Sequence, residues 1–256
     1  MFLVKEGSSN TDDDTFIELK ISETDIETKD KRPLFKYFHL DKNAATWIYK
    51  NDVTERPLIY WAIDNFANKD KNFIDIGAHL GIYTWTFAKY SNHVYSFECN
   101  PKSFCYLAAN VALHDVVDNV SLFSNALGNN EDTLDYIIRN DEGGENGFIT
   151  KNADDSQCKR KQIKVSKLDS FNLTNIGLIK IDVEGFEKEV LEGAAETLKN
   201  NNYPPIIFES WAESRTNIDN VKELRYNLFS YFNSIGYNIC EISGGYGEIF
   251  LATKNL

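Results

Sequence analysis

The chain has 256 residues, 42% of them hydrophobic, and a formal net charge of −12. That length suffices for one full α/β domain and is short for two, and the negative charge argues against bulk DNA or RNA as a partner, because a polyanion would be repelled. No long apolar run occurs and the N-terminus turns polar after Val4, so neither a membrane span nor a secretory signal is expected, and the protein reads as cytoplasmic.

In chain order, residues 1–56 form an N-terminal extension: an acidic tail, a short alternating strand over 16–21, and an aromatic-rich stretch over 34–49 that reads as strands or a small cap. The main domain then spans 57–256. It opens with a helix over 57–67, begun by Pro57, with Leu58, Ile59, Ala62, Ile63 and Phe66 at helical spacing. Short apolar runs then alternate with helical stretches: strand 72–76, helix 82–90, strand 93–98, helix 101–114 and strand 120–124. This alternation is the mark of a doubly wound, mostly parallel sheet covered on both faces. A strand over 132–139, a polar glycine-containing loop over 140–155 and a strand over 161–168 follow. Strand 178–183, a single helix over 186–199, strand 205–209 and helix 220–235 come next. Strands 237–242 and 248–253 flank the glycine turn at 244–247, which predicts an antiparallel strand at the end of the chain.

The run Phe73-Ile74-Asp75-Ile76-Gly77-Ala78-His79-Leu80-Gly81 carries an apolar strand straight into a glycine loop and then a helix that opens at Ile82-Tyr83-Thr84. Glycines there let a ligand approach the backbone, and the helix start offers free N–H groups. The spacing lacks the middle glycine of the dinucleotide fingerprint. Asp75 would repel a phosphate and suits a cationic amino-acid portion of a ligand. Glu98, in Phe97-Glu98-Cys99-Asn100-Pro101, lies at the tip of the second strand about 20 residues beyond Gly77, where an acid accepts hydrogen bonds from both ribose hydroxyls of an adenosine ligand.

With Ser124-Asn125-Ala126-Leu127-Gly128, and above all with Lys180-Ile181-Asp182-Val183-Glu184-Gly185 leading into Val190-Leu191-Glu192-Gly193-Ala194, the chain resembles the FkbM family of S-adenosylmethionine-dependent methyltransferases over roughly residues 72–209. His79 stands where that family usually has asparagine, and Cys99 where it often has proline. The resemblance implies a Rossmann-like methyltransferase sheet and S-adenosylmethionine as cofactor. It implies that Asp75, Gly77, Ala78 and Gly81 surround the methionine portion, Glu98 holds the ribose, and Asn125 with Ala126 borders the adenine; His79, Thr84 and Asn100 complete the candidate cofactor-binding set. It further implies methyl transfer to a hydroxyl of a sugar, glycan or related small molecule, with a polyketide or lipid-like scaffold as the second choice.

Because the transferred methyl is already activated, the protein must chiefly align the acceptor and provide a base. Asp182, Glu184 and Glu209 fall at or near strand ends where an open sheet places its site, and are the candidate catalytic residues. No metal is expected, although three carboxylates have the donors for a divalent cation. His79 reads as a loop histidine beside the cofactor rather than the base. Lys180 reads as a paired structural lysine and Trp211 as a candidate contact for a sugar ring. The loop over 140–155 reads as either a lid or a disordered segment, and Lys159-Arg160-Lys161 as a solvated charge run. The four cysteines lack paired spacing and are expected to be reduced. An NAD-dependent oxidoreductase and a non-catalytic binding protein are the rival readings, and a homodimer through the N-terminal extension stays open.

Overall fold

The computed structural model describes residues 16–19, 36–40, 47–51, 55–139, 146–148, 158–215, 218, 220–242 and 248–254, the side chains of 16–19, 39–40 and 47–51 excepted. The acidic tail before residue 16, the glycine turn at 244–247 and most of the loop expected over 140–155 lie outside them.

The main sheet has eight strands. From one edge they are β1 (Phe16–Leu19), β12 (Asn238–Ile242), β13 (Ile249–Thr253), β11 (Ile206–Glu209), β10 (Ile176–Ile181), β4 (Asn72–Ile76), β5 (Val94–Phe97) and β6 (Val120–Phe123). All neighbours are parallel except β13, which runs antiparallel to both β11 and β12. The antiparallel last strand is as the glycine turn predicts, and it inserts inside the sheet instead of closing its edge.

Side chains alternate across each strand, and the two faces build two cores. Phe73, Val94, Leu178 and Leu251 pack with α1 (Arg56–Phe66), α2 (Ile82–Phe87) and α3 (Pro101–Leu113). Ile74, Ile76, Ile179, Phe208 and Phe250 pack on the other side with α4 (Glu187–Glu192), α5 (Ala195–Asn200) and α6 (Val221–Ser234). Every residue of β4 is buried, which is why its sequence shows an apolar run without alternation.

The helix expected over 186–199 is two helices. Gly193 packs so closely on Gly128 that a Cβ there would lie 1.9 Å from the Gly128 carbonyl oxygen, and its own carbonyl accepts from the Asp169 N–H at 3.0 Å. Asp169 then starts α5 from a distance, accepting from the backbone N–H of Thr197 at 2.7 Å and of Glu196 at 3.1 Å.

Between β6 and β10 the chain leaves the main sheet to form a smaller one, β7 (Ala126–Leu127), β9 (Lys159–Ser166) and β8 (Asp132–Ile138), in the order β7-β9-β8. Its core is Ala126, Tyr136, Ile163 and Val165; Lys159, Arg160 and Lys161 are exposed on β9. The antiparallel pair β2 (Lys36–Leu40) and β3 (Trp47–Asn51) docks on α3, where Asn110 accepts from the Phe38 N–H at 2.7 Å and donates to its carbonyl at 3.0 Å. The described parts of the N-terminal extension therefore pack on the main domain. Among the described residues no helix is long and apolar enough to cross a membrane, and the cysteines are free thiols.

The chain lays down β4, β5 and β6 in one direction and returns to β10 on the opposite side of β4. The crevice at the carboxyl ends of β4 and β10 is thus the topological switch point, the place where an open α/β sheet binds ligands.

Candidate active site

The loop after β4 is shaped by backbone conformation. Gly77 and Gly81 have φ of 76° and 82°, and His79 between them has 52°. Gly77 has a second constraint, since a Cβ on it would sit 1.7 Å from the Asp182 carbonyl oxygen; only glycine lets the first loop and the end of β10 meet this closely. Asp75 supports the loop from beneath. It is fully buried, and its Oδ2 accepts from the Thr84 hydroxyl at 2.6 Å, which also pairs with Ser96 at 2.7 Å. Its Oδ1 has no hydrogen-bond partner among the described residues. Burial raises the Asp75 pKa, and the Lys180 ammonium offsets only part of that.

A cavity of about 120 Å³ opens beside this loop. Glu98 forms one wall: its Oε2 accepts from the His79 N–H and its Oε1 from the Asn100 N–H, each at 2.7 Å. Burial pushes its pKa up to about 7 even though both amides favour the ionised form. Each oxygen keeps a further lone pair for a ligand hydroxyl. Asn125, Ala126 and Cys99 continue the wall, and Tyr136, Phe148 and Phe186 close it with aromatic rings. Tyr136 and Phe148 meet edge to face at 5.2 Å between centroids, and Phe148 and Phe186 are tilted at 5.2 Å.

Asp182 and Glu184 line the same cavity. With Glu209 they form a cluster in which one carboxylate oxygen from each lies within 4.8 Å of the others. The turn that carries Glu184, at φ 59°, is held by Glu187, whose Oε1 accepts from the N–H groups of Val183 at 3.1 Å and Gly185 at 3.2 Å. Burial pushes the Glu187 carboxyl up to about 8. Burial, reinforced by Asp182, Glu184 and Glu187, also holds Glu209 well above the usual carboxylate range; Arg215, 3.6 Å away, offsets only part of this because Glu248 engages it more closely. The trio has the hard oxygen donors a divalent cation takes, but Lys180, 3.1 Å from Asp182, and Arg215 already meet part of its charge.

The predicted residues therefore fall into two groups. Gly77, His79, Glu98, Asn125, Ala126, Asp182 and Glu184 line the cavity. Asp75, Ala78, Gly81, Thr84 and Asn100 do not. Asp75 and Thr84 are bonded to each other under the loop, Ala78 is buried, Gly81 packs against Leu107, and Asn100 caps α3 by accepting from the Lys102 N–H at 3.0 Å. Glu209 adjoins the cavity through the carboxylate cluster. Trp211 is only 4% exposed, packs with Ile218 and Val221, and is not among the cavity's lining residues, so its ring face is not an open platform for a sugar. The sequence reading missed Tyr136, Phe148, Phe186, Glu187 and Arg215. Phe186 and Glu187 directly follow the most distinctive motif and were within reach of it; Tyr136 and Phe148 arrive through strand pairing that no local pattern announces.

Comparison with known proteins agrees with this architecture. The sequence pattern of the Methyltransferase FkbM domain matches residues 75–238. The curated protein "Methyltransferase sdnD" of Sordaria araneosa is 25% identical over 215 residues, which cover 70% of this chain and 79% of that protein. A putative rRNA-methylase from Clostridium thermocellum shares the fold, with a TM-score of 0.50 at 8% identity over 76% of this chain and 91% of that one. Methyltransferase FkbM from Methylobacillus flagellatus KT aligns with a TM-score of 0.48 at 16% identity over 72% of this chain, which spans 44% of that protein's length. With the family pattern running from β4 to the start of β12, across the glycine loop, Glu98 and the carboxylate cluster, the chain belongs to the FkbM methyltransferase family.

Proposed function

We propose that the protein transfers the methyl group of S-adenosylmethionine to a hydroxyl oxygen, with a sugar or glycan as the leading acceptor class. The observation that carries this reading is the sharing of Asp182 and Glu184 between the cavity walled by Glu98 and a cluster of three carboxylates.

The residues present suit the cofactor. Glu98 offers two oxygens to the ribose hydroxyls, and Asn125, Ala126 and the rings of Tyr136 and Phe148 line the space left for adenine. The loop at Gly77 meets the methionine portion, with Ala78, Gly81, Thr84 and the buried Asp75 fixing its shape. The cofactor supplies an activated methyl, so the protein's task is alignment and proton removal. Vicinal hydroxyls of a sugar match a group of carboxylate acceptors. Asp182 or Glu184 takes the acceptor's hydroxyl proton, with Glu209 beside them in the cluster.

The test is transfer of labelled methyl from S-adenosylmethionine to a panel of free, nucleotide-linked and polymeric sugars. Asp182→Asn or Glu184→Gln should lower kcat by roughly 100-fold, and Glu184→Gln should leave S-adenosylhomocysteine affinity within a few-fold. Full turnover by both, and by Glu209→Gln, would remove the cluster from the mechanism.

A further inference from the structure

Lys180 is a charged residue in the middle of the molecule. It is 9% exposed, on a strand otherwise made of Ile176, Gly177, Leu178, Ile179 and Ile181, and in register it stands directly across from Asp75 of β4. An ammonium is costly to bury unless it is paired and hydrogen-bonded. Its Nζ donates to the Gly77 carbonyl at 3.3 Å and to Asp182 Oδ2 at 3.1 Å, and lies 5.2 Å from the centre of the Tyr83 ring. These contacts come from three separate elements: the cofactor loop, the end of β10 and α2.

We propose that Lys180 is a positioning residue for the cofactor, pinning the Gly77 carbonyl to the Asp182 carboxylate so that the donor and acceptor halves of the site keep one geometry. The inference rests on the reading of the cavity as an S-adenosylmethionine site. Without this cation, the repulsion that Asp182 exerts on Asp75 would lose its main offset, and like charges in a dry crevice separate or take up a proton. The charged and titratable groups around Lys180 are Asp75 from β4, Asp182 at the end of β10, Glu55 ahead of α1, Tyr83 from α2 and Glu98 at the end of β5. Burial pulls the lysine pKa down, but Asp182, Asp75 and Glu55 outweigh it and hold the group protonated. The same ammonium lowers the pKa values of Asp75 and Glu98 against their burial. Lys180 thus joins the loop to the end of β10 and favours the ionised form of Glu98 on the cavity wall.

The test is calorimetry of S-adenosylmethionine and S-adenosylhomocysteine binding to the full chain, in buffers of different ionisation enthalpy. Lys180→Met should weaken both ligands roughly tenfold and release more protons on binding than the wild type at the same pH, because acids that took up protons must give them back. Lys180→Arg keeps the charge and should show no extra release. A Lys180→Met protein that binds within twofold of wild type with the same proton release would overturn the proposal, since a purely structural lysine changes melting temperature and not proton linkage. Should Lys180→Met fail to fold, Lys180→Gln decides against Lys180→Arg: extra release in the first and not the second supports the proposal, and equal release overturns it. A wild type that binds neither ligand would defeat the cofactor reading itself and this proposal with it, an outcome distinct from a variant that binds normally.

Discussion

Glu98 shows how one residue can tie pH to ligand uptake. Its carboxyl is buried among apolar walls with both oxygens on backbone amides, and its pKa is displaced from 4.5 to about 7. Between those two values the unfolded chain is ionised while the folded chain still holds the proton. Glu98's contribution to stability is therefore complete below about 4.5 and is lost as pH rises toward about 7. On the proposed reading ligand binding runs the other way, because two ribose hydroxyls donated to Glu98 would favour its ionised form. S-adenosylhomocysteine affinity should rise with pH and level off above about 7, and Glu98→Gln should bind more weakly with that rise removed; a flat wild-type profile would contradict the assignment. Glu98 was legible in the sequence because a strand end at a fixed distance from a glycine loop is a local signal. Asp75 was legible as a residue but not as a contact. Strand alternation turns it toward Thr84 and the α2 face, and that direction is settled by which face each helix covers.

At the scale of elements, the alternating apolar runs located the core strands and helices to within a few residues, because each is long and its burial is uniform. The exception was the single helix expected over 186–199. Helix periodicity continues through Gly193, but the interruption is imposed from outside, by the Gly128 backbone and by Asp169, which are distant in the chain and near in space. Asp169 serves α5 as an N-cap residue would, so Asp169→Ala should destabilise the protein by roughly 1 kcal/mol, read as a lower denaturant midpoint. Because α5 lies on the far face of the sheet from the loop after β4, S-adenosylhomocysteine affinity should be unchanged. An unchanged midpoint would mean that the helix starts without the aspartate.

For the whole molecule, the parallel sheet and its crevice followed from composition and pattern, but the strand order did not. Nothing local states that β13 enters between β11 and β12, or that the chain between β6 and β10 folds into a separate sheet. That smaller sheet supplies Ala126, Leu127 and Tyr136 to the cavity, and Phe148 arrives through the bridge between Ile137 and Gly147. About a quarter of the residues that line the cleft thus depend on pairings between separate segments, whereas the glycine loop and the Asp182–Glu184 turn lie within continuous motifs.

On the proposed reading, one crevice at the β4–β10 switch point holds an adenosyl cofactor with its sulfur facing the carboxylate cluster. A crystal structure with S-adenosylhomocysteine bound tests it most directly. Both ribose hydroxyls are expected on Glu98, adenine between Ala126 and the Tyr136–Phe148 rings, and sulfur on the side of Asp182 and Glu184. Ligand density elsewhere on the molecule, or a sulfur turned away from those carboxylates, would contradict it.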